Sequence, residues 1–194
     1  MQLRRQQIID AALKLFAEKG YEKATIKDIS ETAGTSQGLL YHYFRSKEEL
    51  LATVIESHSF ITQLHNIISS THTKPVRQVL YEITIGFYNL LASNKEFVSI
   101  VLREMQTNPV FKKKWAIIPM EGVILISNYL QSNISAGNLK QHNTEVAARS
   151  MLYTVAMLFI TAEVFSWSRL TVEQYIKEMV DISLNGIATQ SLDG

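Results

Sequence analysis

Apolar residues along this chain recur at intervals of three and four, the spacing that places them on one face of an α-helix. In the first such segment Ile8, Ala12, Leu15 and Phe16 share a face, and Gly20 follows at a position typical of a helix C-terminus. No segment alternates apolar and polar residues over the length of a strand between turn residues. The pattern predicts an all-α protein of about nine helices.

The next two helices are short, and each has its own start signal. Thr25 predicts the start of the second, because its hydroxyl accepts a free backbone N–H and the Asp28 carboxylate suits the positive helix end. Gly34 ends that helix, and Thr35 or Ser36 caps a third helix that reaches about residue 44. The first fifty residues therefore predict a compact three-helix unit.

A long helix is expected to connect this unit to the rest of the chain. Ser46 and Glu49 form a capping box that opens it, and it extends to about Ser70. Beyond it the pattern stays helical, with a kink or break expected at Pro119. Further boundaries are indicated by Pro75, Asn94, Asn108, Gly137, Thr144, and the capping box of Thr171 and Gln174.

The segment 25–47 has the four features that a helix-turn-helix requires. It has a glycine turn, apolar residues that lock two helices together, short polar residues at the start of the second helix, and flanking groups able to bind phosphate. The turn glycine is Gly34. The locking residues are Ile26, Ile29, Ala33, Leu40 and Phe44.

The same stretch resembles a known DNA-binding signature. The matching residues are Phe16, Gly20-Tyr21, Thr25-Ile26, Asp28-Ile29, Ala33-Gly34, Leu40-Tyr41-His42-Tyr43-Phe44 and Lys47. In these positions the chain resembles the TetR family of transcriptional regulators. The resemblance is dense over about the first 55 residues, and beyond them it depends only on the number and length of helices.

The resemblance implies a homeodomain-like helix-turn-helix domain over residues 1–46. It also implies a helical ligand-binding and dimerisation domain over residues 47–194. A dimer would bind a palindromic operator in double-stranded DNA, because a single recognition helix reads only a few base pairs. A small-molecule effector would release it.

The resemblance also implies individual roles in DNA binding. Thr25 and Lys47 would hold phosphates at helix N-termini, and Lys27 would contact phosphate or a base edge. Tyr41 and Tyr43 are two positions apart on a helix, so at least one of them is exposed, and their hydroxyls would reach the sugar-phosphate backbone. The full predicted set is Thr25, Lys27, Thr35, Ser36, Gln37, Gly38, Leu39, Tyr41, His42, Tyr43 and Lys47.

Two positions depart from the family pattern and affect base preference. Many relatives carry Lys where Gln37 stands, and Thr or Ala where Leu39 stands. Gln37 is the expected base reader, since its amide can bond adenine through two hydrogen bonds, and Leu39 is placed to touch a thymine methyl. Gly38 would allow close approach of the backbone, whereas His42 is more simply structural or solvated.

The last two helices are the candidates for a dimer interface in a four-helix bundle. The alternative is that their apolar stripes pack inside one subunit, and the sequence leaves open which face pairs. The predicted interface residues are Met151, Val155, Leu158, Ala162, Ile176, Met179, Val180, Ser183 and Ile187.

Aromatic and Met residues of the middle helices indicate a possible pocket for an apolar or amphipathic ligand. Residues of this kind at helical spacing more often form plain core. The candidates are His65, Phe87, Tyr88, Met105, Trp115, Tyr129 and Tyr153. His58, His65 and His72 recur every seven residues, two turns apart, which does not suit a metal site. No metal or other cofactor is expected.

Composition narrows the function classes. The net charge is only +1, so DNA binding must depend on where charges lie, and the absence of cysteine excludes thiolate chemistry. The uncharged stretch between Arg149 and Glu163 falls short of the roughly 20 residues that span a bilayer, and the N-terminus lacks a signal-peptide pattern. A cytoplasmic protein without a membrane partner is expected.

Two functions other than transcriptional regulation are open to an all-helical chain, those of an enzyme and of a carrier. No nucleophile elbow, phosphate loop, zinc-protease motif or catalytic triad supports an enzyme. A helical lipid or small-molecule carrier would explain the apolar second half, but not the Tyr41 and Tyr43 pair beside Lys47.

Overall fold

The computed structural model describes residues 2–70, 74–162 and 170–186, and every regular element in these ranges is helical. The predicted all-α class is therefore confirmed. The helices are α1 (Gln2–Lys19), α2 (Ile26–Thr32), α3 (Gln37–Tyr43), α4 (Lys47–Ser57), α5 (Ile61–Ser69), α6 (Val76–Ser93), α7 (Lys95–Thr107), α8 (Pro109–Trp115), α9 (Ile117–Ser135), α10 (Thr144–Ala162) and α11 (Val172–Gly186).

Local capping chemistry sets several of these boundaries as the sequence predicts. The Ser46 hydroxyl accepts the Glu49 backbone N–H at 3.1 Å. At α11 the Thr171 hydroxyl accepts the Gln174 N–H, and the Gln174 side chain accepts the Thr171 N–H in return. Such caps satisfy N–H groups that have no partner within the helix.

The expected connecting helix is broken between α4 and α5, which is one reason that the described residues hold eleven helices. The Ser57 hydroxyl donates to the Val54 carbonyl, and Nδ1 of His58 lies 2.8 Å from the same oxygen. The backbone N–H of His58 turns to Ile55, three residues back. Polar side chains that compete for backbone carbonyls end a helix in this way.

A second interruption lies just before Pro119 and not at it. The helix α8 ends at Trp115, α9 begins at Ile117, and Pro119 is the third residue of α9. An N–H at this position has no partner within a helix, so proline is accommodated there.

The described residues divide into two compact units. The first lies within Met1–Ser59 and Asn94–Ile117, and the second within Phe60–Ser93 and Ile118–Gly194. In the first unit α1 packs against α2, α4 and α7, while α2 contacts α3 and α7 contacts α8. By packing, α7 and α8 thus join the three-helix unit. The functional boundary between residues 46 and 47 remains a prediction.

In the second unit α6 is central and packs against α5, α10 and α11. Its apolar core includes Leu64, Leu80, Ile126, Leu130 and Leu152, all of them buried. By length and composition alone α10 meets the criteria for a membrane-spanning helix, a test that the core helix of a soluble protein also passes.

Candidate DNA-binding site

The turn between α2 and α3 is closed by backbone hydrogen bonds around a left-handed glycine. Gly34 has φ +62°, the Thr35 N–H donates to the Ser30 carbonyl at 2.9 Å, and the Gly34 N–H donates to the Glu31 carbonyl at 3.1 Å. This is the Schellman arrangement, in which the residue after the helix adopts a positive φ that glycine tolerates best. The turn fixes the direction in which α3 leaves α2.

The recognition helix α3 begins at Gln37 with Ser36 as its cap. The Ser36 hydroxyl accepts the Leu39 N–H at 3.2 Å, so of the two predicted caps Ser36 is the one used. Leu40 is fully buried and Phe44 nearly so, and Ile29 of α2 is buried as well. The locking role predicted for these three residues is confirmed, while Ile26 and Ala33 are only half-buried.

The opposite face of α3 is open to solvent and carries the predicted contacts. Tyr41 is 52% exposed although its ring is largely apolar, and Leu39 is exposed beside it. Tyr43 is half-buried, with its ring centroid 5.5 Å from that of the His42 ring. The remaining exposed members of the predicted set are Thr25, Lys27, Ser36, Gln37, Gly38 and His42, and Thr35 is half-buried. Their individual roles on DNA remain predictions.

At the start of α2, Thr25 and Asp28 form a reciprocal capping box. The Thr25 hydroxyl accepts the Asp28 N–H at 3.1 Å, and the Asp28 carboxylate accepts the Thr25 N–H at 3.3 Å. This N–H, with the Thr25 hydroxyl and the Lys19 ammonium, holds the pKa of Asp28 below its usual value. The phosphate contact expected of Thr25 stays a prediction.

Lys47 has a role in the structure besides the one expected. Its ammonium donates to the carbonyls of Tyr21 at 2.9 Å, Ala24 at 3.2 Å and Glu22 at 3.3 Å, and lies 4.3 Å from the Tyr21 ring centroid. An ammonium has three hydrogens, and all three are engaged. In this structure the side chain fastens the α1–α2 turn, and its phosphate contact stays a prediction. A phosphate can still meet the backbone N–H groups that open α4.

Arg5 is a residue near α3 that the predicted set lacked. Its guanidinium carbon lies 5.2 Å from the centroid of the Phe44 ring, just after the last turn of α3. The basic pair Arg4-Arg5 near the N-terminus was the available signal. The contact places a permanent positive charge next to the recognition helix.

The predicted ligand residues are divided between the two units. Met105 and Trp115 belong to the first unit, where Met105 is exposed and Trp115 contacts the rings of Phe97 and Phe111. The other five belong to the second unit. There His65 and Tyr153 are exposed, Phe87 and Tyr88 are half-buried, and Tyr129 is buried.

The second unit contains an open cleft of about 1030 Å³ near the ends of α5 and α9. Of the predicted ligand residues, only Tyr129 lines it. Amide and hydroxyl groups form much of the wall, and several bond one another: Asn138 donates to Asn133, and Ser132 donates to the Tyr129 carbonyl. The full lining is Ile68, Ser69, Lys74, Pro75, Val76, Leu125, Asn128, Tyr129, Ser132, Asn133, Ala136 and Asn138.

Part of the predicted dimer stripe on α10 and α11 is buried within the chain, and the interface itself stays a prediction. Met151, Val155, Ile176 and Val180 are buried within the single chain. These positions mark the inward faces of the two helices, and apolar spacing alone does not distinguish an inward face from an interface. Of the other predicted members, Ala162 is exposed, Leu158, Met179 and Ser183 are half-buried, and Ile187 lies outside the described residues.

Large apolar side chains nevertheless remain exposed on the outer faces of these helices. On α10 they include Tyr153, 50% exposed, and Met157, 54% exposed. On α11 they are Tyr175 and Ile182, the latter 69% exposed. We call these four residues the outer apolar face.

No group of three His, Cys, Asp or Glu residues that could hold a metal ion occurs in the ranges 2–70, 74–162 and 170–186. His72 lies outside the described residues.

Comparisons with known proteins agree with this geometry. Residues 8–54 match the model of the family described as bacterial regulatory proteins, tetR family. The fatty acid metabolism regulator protein of Bacillus subtilis is 24% identical over 93% of this chain and 94% of its own length. The HTH-type transcriptional repressor AcnR of Corynebacterium glutamicum is 26% identical over 81% of this chain and 80% of its own length.

A solved structure shows the same fold. The transcriptional regulator FadR from Bacillus subtilis, in complex with stearoyl-CoA, superposes with a TM-score of 0.73 at 22% identity, covering 94% of this chain and 99% of that one. The matched family segment contains the whole of α2 and α3 with their caps, turn and exposed recognition face. Residues 8–54 therefore belong to the TetR family, and the chain is a helix-turn-helix transcriptional regulator that binds DNA.

Proposed function

We propose that the protein is a ligand-responsive repressor that binds a palindromic operator as a homodimer and is released by an amphipathic small molecule. The observation that carries the DNA-binding part is the capped helix α3, whose outer face exposes Gln37, Leu39 and Tyr41 while Leu40 and Phe44 anchor its inner face. A rigidly anchored helix with an exposed reading face is what major-groove recognition requires.

The outer apolar face supports the dimer. Tyr153, Met157, Tyr175 and Ile182 expose large apolar side chains on two adjacent helices, and a second copy would cover them in a four-helix bundle. The same surface carries Arg149, which bonds both Glu145 and the Tyr153 hydroxyl. A charged pair on this face suits a protein interface better than a bilayer, so we assign the apolar character of α10 to subunit pairing in a cytoplasmic protein.

The cleft in the second unit supports an effector with both apolar and hydrogen-bonding parts. Ile68, Val76 and Leu125 provide apolar wall, and Asn128 and Ser69 provide polar groups. The most similar relatives include a regulator of fatty acid metabolism and a structure that contains stearoyl-CoA. A long-chain acyl-CoA is therefore the first effector to test.

The mechanism that we propose is a change in the distance between the two recognition helices of the dimer. They must lie about 34–36 Å apart, or a multiple of that distance, to enter major grooves on one side of the duplex. An effector lowers operator affinity if it binds more tightly to a dimer whose recognition helices are at a different distance than to the dimer that fits the operator.

Selection of bound fragments from random duplex DNA at low ionic strength tests the operator and the dimer together. We expect an inverted repeat whose half-site centres are separated by about 10 base pairs or a multiple. Recovery of fragments without a common sequence would contradict the operator, and a single unpaired half-site would contradict the dimer.

The duplex recovered in this selection is then used to test the effector. Stearoyl-CoA is titrated into the complex, with free coenzyme A as the control that lacks the acyl chain. We expect release by stearoyl-CoA alone. Binding of stearoyl-CoA without any change in operator affinity would contradict the proposed response.

A further inference from the structure

A buried carboxylate outside the helix-turn-helix contacts the turn that leads into it. Glu104 lies on α7 and is only 4% exposed. Its Oε1 accepts the backbone N–H of Tyr21 at 3.1 Å, and its Oε2 accepts the side-chain amide of Asn108 at 3.0 Å. A buried carboxylate is costly unless hydrogen bonds compensate for lost water, so its placement calls for a function.

Its neighbour Arg103 binds the end of α1. The guanidinium donates to the carbonyls of Phe16 and Ala17, and its Nε lies 3.4 Å from the Glu104 carboxylate. Carbonyls in the last turn of a helix lack partners within it and form the negative end of the helix dipole. Arg103 therefore caps α1 from a helix more than eighty residues further along the chain.

These contacts converge on residues 20–24, the turn that joins α1 to α2. Gly20 has φ +86°, and a Cβ placed there would lie 3.5 Å from the Glu104 carboxylate, so α7 is in ordinary van der Waals contact with the turn. On its other side, Lys47 of α4 donates to three carbonyls of the same turn. The turn is thus held between α7 and α4.

We propose that Glu104, together with Arg103, is a positioning site for DNA recognition. The two residues fix the end of α1 and the Tyr21 N–H, and thereby fix where α2 begins. Since the α2–α3 turn is rigid, the placement of α2 determines the placement of α3. Sequence-specific affinity then depends on α7, although Glu104 itself is buried and does not touch the operator.

The variant Glu104→Gln tests this proposal without a large change in volume. An amide presents one acceptor oxygen in place of two, so at least one of its donors loses its partner. The matched control is Glu96→Gln, an exposed residue in the first turn of the same helix with the same change in charge. Removal of a negative charge by itself would strengthen DNA binding, so the two effects have opposite signs.

Affinity is measured for two duplexes of equal length, one selected with the wild-type protein and one unrelated. The measurements are made well below the melting temperature of each variant protein. We expect Glu104→Gln to lower affinity for the selected duplex about tenfold, which corresponds to loss of a charged hydrogen bond. Affinity for the unrelated duplex should stay within about twofold of the control, because nonspecific binding depends on charge rather than on exact placement.

Two results would overturn the proposal. An equal loss for both duplexes would mean that the carboxylate only maintains the amount of folded protein, and no loss for the selected duplex would mean that it does not position α3. If Glu104→Gln does not fold, Arg103→Gln is measured against Lys112→Gln, an exposed residue of α8, and the same two criteria decide.

Discussion

At the scale of single residues, two lysines with similar sequence surroundings have different physical roles. Lys27 is exposed, and its ammonium lies 4.0 Å from the Glu31 carboxylate, a surface pair of small energetic value. The Lys47 ammonium is engaged by three carbonyls and a ring. Both side chains carry the positive charge that phosphate binding requires, but only Lys27 leaves its ammonium available to a phosphate.

The substitution Lys47→Met keeps the aliphatic stem and removes the three donors. We expect the free energy of unfolding, measured in urea, to fall by about 1–3 kcal/mol, because carbonyls of the α1–α2 turn lose a charged partner. The comparison is Lys27→Met, which should change stability by less than about 0.5 kcal/mol and reduce the salt dependence of operator affinity by about one phosphate contact. Unchanged stability of Lys47→Met would contradict the fastening role.

The hydroxyl of Tyr41 gives a second prediction at this scale. Tyr41→Phe should lower operator affinity about three- to tenfold, the effect of one lost neutral hydrogen bond. Its salt dependence should not change, because no charge is removed. Tyr81→Phe on α6, a half-buried tyrosine outside the proposed DNA and dimer contacts, is the control and should bind like the wild type. Equal affinity of Tyr41→Phe and the control would remove Tyr41 from the predicted contacts.

At the scale of helices, two buried glycines of the second unit differ in their surroundings. A Cβ added to Gly86 in α6 would lie 3.1 Å from the Gln63 side-chain nitrogen and 3.4 Å from the Phe60 ring. At Gly122 in α9 the nearest atoms would be 3.8 Å away, an ordinary contact. Gly86 allows α5 to pack closely on α6, whereas the space around Gly122 would admit a Cβ.

We therefore expect Gly122→Ala to raise the free energy of unfolding by about 0.5–1 kcal/mol, the gain in helix propensity. Gly86→Ala should show none of this gain, because the new methyl group must displace α5 or its side chains. Urea denaturation of both variants measures the difference directly. An equal gain at both positions would show that α5 is not held tightly against α6.

At the scale of the whole molecule, the outer apolar face determines whether two chains associate. We expect the double variant Met157→Glu and Ile182→Glu to sediment as a monomer, because two like charges would lie in the proposed interface. Its operator affinity should fall by at least about a hundredfold, since each monomer reaches one half-site. Leu102→Lys, at an exposed leucine of α7, is the control and should leave the dimer intact. A double variant that remains dimeric would place the interface elsewhere.

The helical class, many helix boundaries and the helix-turn-helix could be predicted from the amino-acid pattern alone. These features depend on contacts between residues three or four apart: Thr25 with Asp28, Ser46 with Glu49, and Thr171 with Gln174. Contacts over such short separations are fixed once a helix forms, so residue types at the right spacing suffice to predict them.

The combination of residues that lie far apart in the chain became visible only in the folded molecule. Glu104 and Tyr21 are 83 positions apart, and no local pattern relates them. An apolar stripe looks the same whether its own chain or a second chain covers it, so the sequence could not separate the inward faces of α10 and α11 from an interface. Burial of Val155 and Ile176 in this chain, and exposure of Met157 and Ile182, show which faces point inward, since each depends on what packs against the helix.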